Sequence, residues 1–153
     1  MIDCFVCRLT GEFKAKAYRV LVEEFPDHDG TDLDYYEWVS IAIKDGEVIG
    51  VVTANKYLPK KAILCDIAVD KKYRSQGVGI LLLKHIGQTL QNAGYEYLLG
   101  FTHKKNKEAL NTYKRVYTKQ EEMIVTTSEL AVSIPHITQL ENRLQYRRAK
   151  KSK

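Results

Sequence analysis

The stretch Asp66-Ile67-Ala68-Val69-Asp70-Lys71-Lys72-Tyr73-Arg74-Ser75-Gln76-Gly77-Val78-Gly79-Ile80-Leu81-Leu82-Leu83 decides how this chain folds. It leaves an apolar run of strand character and enters an apolar run of helical character, with two glycines in between. Glycine lets a backbone approach a ligand closely. The first turn of a helix adds N–H groups without intrahelical acceptors and the positive end of the helix dipole. A diphosphate fits such a turn. Two commoner phosphate loops do not match: a dinucleotide fingerprint needs three glycines and a later acid, and a nucleoside-triphosphate loop ends in Gly-Lys-Ser/Thr. Taken alone, the six residues from Arg74 to Gly79 also fit a purely structural glycine pair.

Working outward, residues 78–92 set Val78, Leu81, Leu82, Ile86 and Leu90 along one helical face, and Gly94 supplies a stop. Residues 95–102 return as a strand, so strands 62–69 and 95–102 are expected to lie parallel across the helical crossover. Upstream, the β-branched runs 38–43 and 48–54 flank Lys44-Asp45-Gly46-Glu47, a hairpin signal. Residues 2–9 read as a first strand. Phe13, Ala17, Val20, Leu21 and Phe25 have helical spacing, and Pro26 ends that helix before a turn-rich acidic loop at 27–34. After the crossover, Asn106 caps a short helix to about residue 116, and residues 122–127 and 130–134 read as strands. Pro135 then opens a segment with Ile137, Leu140 and Leu144 at helical spacing. The class is α/β.

The chain has 153 residues, enough for one self-sufficient core, with 44% hydrophobic and 28% charged residues. No apolar run has the length of a membrane span, and the first residues lack the pattern of a secretion signal, so a soluble, cytoplasmic protein is expected. Three cysteines, Cys4, Cys7 and Cys65, leave an odd thiol and no zinc-binding pattern. Reduced, buried thiols and no metal are the expectation. Of the net charge of +5, the segment 143–153 carries +6, which leaves the rest near neutral.

In this context the chain resembles the GNAT superfamily of acyl-CoA N-acyltransferases. Arg74, Gly77 and Gly79 hold the fixed positions of its R/Q-x-x-G-x-G/A signature, after Ile67-Ala68-Val69-Asp70 and before a leucine-rich helix. The proline that often precedes the tyrosine at position 73 is absent. A second family motif, roughly N-x-x-A-x-x-x-Y, stands as Asn106-Lys107-Glu108-Ala109-Leu110-Asn111-Thr112-Tyr113. The resemblance implies the GNAT fold, a mixed and mostly antiparallel sheet with a central parallel strand pair flanked by helices, over residues 1–134. Residues 135–153 are left as a basic C-terminal helix or tail. It implies acetyl-CoA as cosubstrate. Backbone amides from Gln76 through Gly77, Val78 and Gly79 to Ile80 would hold the pyrophosphate beside Arg74 and Ser75. Backbone groups of Ile67 and Val69 would bind the pantetheine arm, and Asn106 would belong to the same site. Tyr113 would protonate the departing CoA thiolate, a plausible exchange between a phenol and a thiol.

The family's usual glutamate base has no counterpart, since Ile63 and Phe101 fill the matching positions, and Val116-Tyr117 replaces a Gly-Phe pair. Asp66, His103, Asp29, Asp32, Asp34 and Glu37 remain candidates, acting directly or through water. Cys65 is expected to be a buried strand thiol. Seven acids between Glu23 and Glu37 would attract a cationic acceptor such as a protein lysine, an N-terminus, a polyamine or an aminoglycoside, or they form a solvated loop. The basic end could meet an acidic or nucleic-acid partner or remain a solubilising tail. A homodimer is compatible with the sequence. Beside the enzyme stand two other readings: a GNAT-fold CoA-binding or interaction protein without chemistry, and a nucleic-acid-associated factor.

Overall fold

The computed structural model describes residues 2–26, 33–103 and 130–133. Its elements are β1 (Phe5–Arg8), α1 (Lys14–Glu24), β2 (Trp38–Lys44), β3 (Glu47–Leu58), β4 (Lys61–Val69), α2 (Val78–Asn92), β5 (Tyr97–His103) and β6 (Leu130–Ser133). Among the described residues, the strands form a six-stranded sheet in sequence order. β4 and β5 pair in parallel; β1–β2, β2–β3 and β5–β6 are antiparallel. This is the mixed sheet expected. Two compact units divide the chain, Met1–Asn55 with Cys65–Ile86, and Lys56–Leu64 with Gly87–Lys153.

In the first unit the Asp45-Gly46 turn closes the β2–β3 hairpin, with φ of 51° at Asp45 and 76° at Gly46. Positive φ at both central residues matches the twist of the strands they join. α1 buries Ala17, Val20 and Leu21 against Val39, Ile41, Ile43, Val48, Val51 and Ala68. Phe13 and Phe25 pack at the edge of that cluster. Burying a leucine such as Leu21 contributes about 1.5–3 kcal/mol. The helix stops where the Phe25 N–H closes on the Leu21 carbonyl at 2.9 Å and Pro26 follows.

Ser40, between Val39 and Ile41, meets His85 of α2. Because alternate side chains of a strand point to opposite faces, α1 and α2 cover opposite sides of β2. Gly50 sets how closely α2 approaches. A Cβ there would lie 2.9 Å from Leu82 Cδ1, 3.0 Å from Val78 Cγ1 and 3.4 Å from the Ala68 carbonyl oxygen. The buried stripe of α2 also differs from the expected one: Leu83 is fully buried, whereas Leu81 is half-buried. A helix with three successive leucines buries a broader face than a single i, i+4 row predicts.

In the second unit β4 and β5 pair from Lys61↔Tyr97 to Leu64↔Gly100, and β5 pairs with β6 from Gly100↔Ser133 to His103↔Leu130. Gly94, at φ 92°, ends α2 while the Tyr95 N–H returns to the Leu90 carbonyl at 3.0 Å. That is the glycine stop expected. β3 reaches Leu58, four residues beyond the expected end, because its last turns of pleat carry exposed Lys56, Tyr57 and Leu58 rather than an apolar run. The expected helix at 106–116, the strand at 122–127 and the segment from Pro135 lie outside the described residues. Among the described residues no helix is long and apolar enough to cross a membrane.

Candidate functional site

The link from β4 to α2 is built in three short steps. Asp70 caps a 3-10 turn over Lys71–Tyr73 by accepting the Lys72 N–H at 3.0 Å, and its own N–H is held by the Ile49 carbonyl at 2.8 Å. Ser75 and Gly77 then take φ values of 62° and 88°. Only glycine adopts this region without strain, so Gly77 satisfies a backbone demand and Ser75 bears a cost of about 1–2 kcal/mol. The first helical bond follows, from the Leu81 N–H to the Gly77 carbonyl at 3.1 Å.

The amides of Val78, Gly79 and Ile80 therefore precede the first i−4 bond, at the positive end of a helix whose first turn carries no acid. Gly79 is different from Gly77. Its φ lies outside the left-handed region, and a Cβ on it would meet only Ile67 Cδ1 at 3.9 Å and Val69 Cγ2 at 4.0 Å, ordinary contacts. Among the described residues nothing excludes a Cβ at Gly79. Gly79 thus faces, among the described residues, Ile67 and Val69 at the N-terminal end of α2, where helix geometry favours an anion.

Arg74 is turned into the fold. Its Nη2 pairs with Glu24 Oε2, and its Nε donates to the Val69 carbonyl at 3.2 Å. Gln76 is exposed; its carbonyl accepts the Ile2 N–H at 3.3 Å, and its side chain donates to the Lys72 carbonyl at 3.3 Å. Val78 is buried, and Ile80 half-buried. Ile67 and Val69 thus lie at the end of β4, Arg74 to Gly77 in the turn, and Val78, Gly79 and Ile80 in the first turn of α2. Asn106 and Tyr113 lie outside the described residues.

Asp66 is held by Thr53. The buried Thr53 hydroxyl donates to Asp66 Oδ2 at 3.1 Å and accepts the Asp66 N–H at 3.0 Å. Of the acids between Glu23 and Glu37, three already face cations: Glu23 pairs with Arg19 at 3.1 Å, Glu24 with Arg74, and Asp34 with Lys14. That lowers the charge available to a cationic acceptor. Asp29 and Asp32 lie outside the described residues, as does the side chain of His103.

The expectation of buried thiols fails at Cys65, which is exposed, while Cys4 and Cys7 are half-buried. Along β4 the buried residues are Ala62, Leu64 and Ala68, so the pleat sends Cys65 to the other side with Ile67 and Val69. Desolvation, reinforced by Asp66 and opposed by a hydrogen bond from the Asn55 backbone, pushes its thiol up to about 11. A thiol so protonated at neutral pH is a poor nucleophile. Burial likewise raises the Cys4 and Cys7 thiols.

Three features were not read from the sequence. The Glu24–Arg74 pair joins residues 50 apart, and no local pattern announces it. Neither does one announce Thr53 against Asp66. Gly50 did carry a signal, since a lone glycine inside a β-branched strand marks a close approach.

The model of the Acetyltransferase (GNAT) family matches residues 5–117. No curated protein sequence matches the chain significantly. Among solved structures, an IAA acetyltransferase from Bacillus cereus superposes with a TM-score of 0.72 at 18% identity, over 88% of this chain and 99% of that one. A GNAT family acetyltransferase from Elizabethkingia anophelis with acetyl-CoA bound gives 0.73 at 17% identity, over 89% and 99%. The ribosomal-protein-S18-alanine N-acetyltransferase from Escherichia coli gives 0.66 at 20% identity, over 88% and 94%. At these identities the likeness is one of fold.

Proposed function

Because the chain belongs to the acetyltransferase (GNAT) family, we propose that it binds acetyl-CoA at the turn from Arg74 to Gly79 and transfers the acetyl group to a primary amine. The observation that carries this reading is that, among the described residues, Gly79 is not required by any close contact, and it stands beside amides that precede the first i−4 bond of α2. Backbone N–H groups from Gln76 to Ile80 hold the diphosphate, and the backbone of Ile67 and Val69 guides the pantetheine arm. Asn106 completes the cofactor site. The acetyl-CoA bound in the Elizabethkingia anophelis structure supports the same cosubstrate here.

The transfer is direct. A neutral amine nitrogen attacks the thioester carbonyl carbon, the C–S bond breaks, and the CoA thiolate leaves with a proton from the Tyr113 hydroxyl. The ammonium proton of the acceptor passes to a base, directly or through water. Holding both reactants in one geometry supplies much of the acceleration. The acceptor is a protein lysine or N-terminus, a polyamine or another small amine. Residues 1–134 form the acetyltransferase domain, residues 135–153 a basic extension for an acidic or nucleic-acid partner, and the protein works in the cytoplasm.

The test is CoA release from acetyl-CoA in the presence of a panel of amines. Release that depends on at least one amine is expected. Tight acetyl-CoA binding without release on any acceptor would leave a CoA-binding protein instead.

A further inference from the structure

We infer that Glu24 is a positioning residue for the acetyl-CoA site, acting through Arg74, and this rests on the reading of the turn as the diphosphate site. Glu24 is the last residue of α1, and Arg74 immediately precedes the strained Ser75. The guanidinium reaches in two directions, with Nη2 on the Glu24 carboxylate and Nε on the Val69 carbonyl at 3.2 Å. It therefore ties the end of a helix and the end of a strand to one point of the turn. Both side chains of the ion pair are 29% exposed, so the pair is partly shielded from solvent and more tightly held than a surface contact.

The charge arithmetic points the same way. An arginine that faces a carboxylate has most of its field compensated, so Arg74 adds little net attraction for a diphosphate. What it supplies is geometry. Ser75 at φ 62° holds a conformation that relaxes unless fixed from outside, and it sits directly before the glycine turn at Gly77. The fixing contacts are the Arg74 anchor on one side and the Ile2 N–H to Gln76 carbonyl bond at 3.3 Å on the other. The amides offered to the ligand come directly after. Loss of the Glu24 contact would free the guanidinium and let those amides lose their shared aim.

Two physical effects of Glu24 have opposite signs, which makes the inference testable. As a carboxylate near an anion site, Glu24 repels coenzyme A, so by charge alone its removal would tighten binding. As a positioning group, its removal weakens binding. Acetyl-CoA affinity measured by calorimetry for Glu24→Gln should fall about tenfold, in the range of coupled contacts. The loss should persist at high salt, because geometry is not screened. In the ligand-free protein, amide hydrogen exchange across residues 75–80 should quicken. Arg74→Lys keeps the charge but loses the fork, and should lose affinity as well. The double variant Glu24→Gln/Arg74→Gln should bind no worse than Arg74→Gln alone. Unchanged or tighter binding by Glu24→Gln, or wild-type affinity in Arg74→Lys, would overturn the inference while leaving the diphosphate site in place. Wild-type protein that binds no acetyl-CoA would overturn both.

Discussion

Ser40 Oγ and His85 Nδ1 lie 2.7 Å apart, joining the buried middle of β2 to α2. Burial lowers the pKa of His85 below its usual 6.5. The folded protein thus resists protonation at a site that the unfolded chain protonates freely. The histidine's contribution to stability is complete above about pH 6.5 and is lost as the pH falls through the lower folded value. Melting temperatures taken from pH 8 to pH 5 should decline below about pH 6.5 in the wild type, and less steeply in His85→Gln. Parallel profiles would show that His85 does not titrate across this window.

At Gly50, the 2.9 Å and 3.0 Å approaches of Leu82 and Val78 to the position of a Cβ leave no space for a branched side chain. Gly50→Val should destabilise the fold by about 1–3 kcal/mol in urea unfolding, by forcing α2 away from the sheet. Gly11→Ala, at a site with nothing within 4 Å of the new Cβ, should stay within about 0.5 kcal/mol of wild type. Equal effects at the two glycines would contradict the close packing of α2.

If Tyr113 delivers the proton to the leaving thiolate, Tyr113→Phe should slow acetyl transfer about a hundredfold, within the usual span of general acid catalysis. Acetyl-CoA affinity should hardly change. An unchanged rate would assign the proton to another donor.

Much of the frame was legible because it is written in local patterns. Asp45-Gly46 marks a hairpin by the positive φ values that such a pair accepts cheaply, and the alternation of buried residues in β4 follows from the pleat. The turn from Arg74 to Gly79 was legible for the same reason. The remainder depends on partners distant in sequence. Glu24 is one acid among seven until α1 is laid beside the turn, and Asp66 is a candidate base until Thr53 is seen to hold it. Residue type does not place Cys65; the pleat of β4 does, setting it on the side opposite buried Leu64 and Ala68. The exposed end of β3 was missed because Lys56 and Tyr57 lack an apolar pattern although their backbone continues the strand.

The most direct measurement is acetyl-CoA binding to the wild type and to Gly79→Glu by calorimetry, alongside their melting temperatures. A Cβ at Gly79 makes only ordinary contacts among the described residues, and an acid in the first turn of α2 complements the helix dipole, so the variant should melt at or above the wild-type temperature. Its carboxylate would occupy the place of the diphosphate, so binding seen in the wild type should be abolished. A stable Gly79→Glu protein that binds acetyl-CoA with wild-type affinity would contradict the assignment of this turn.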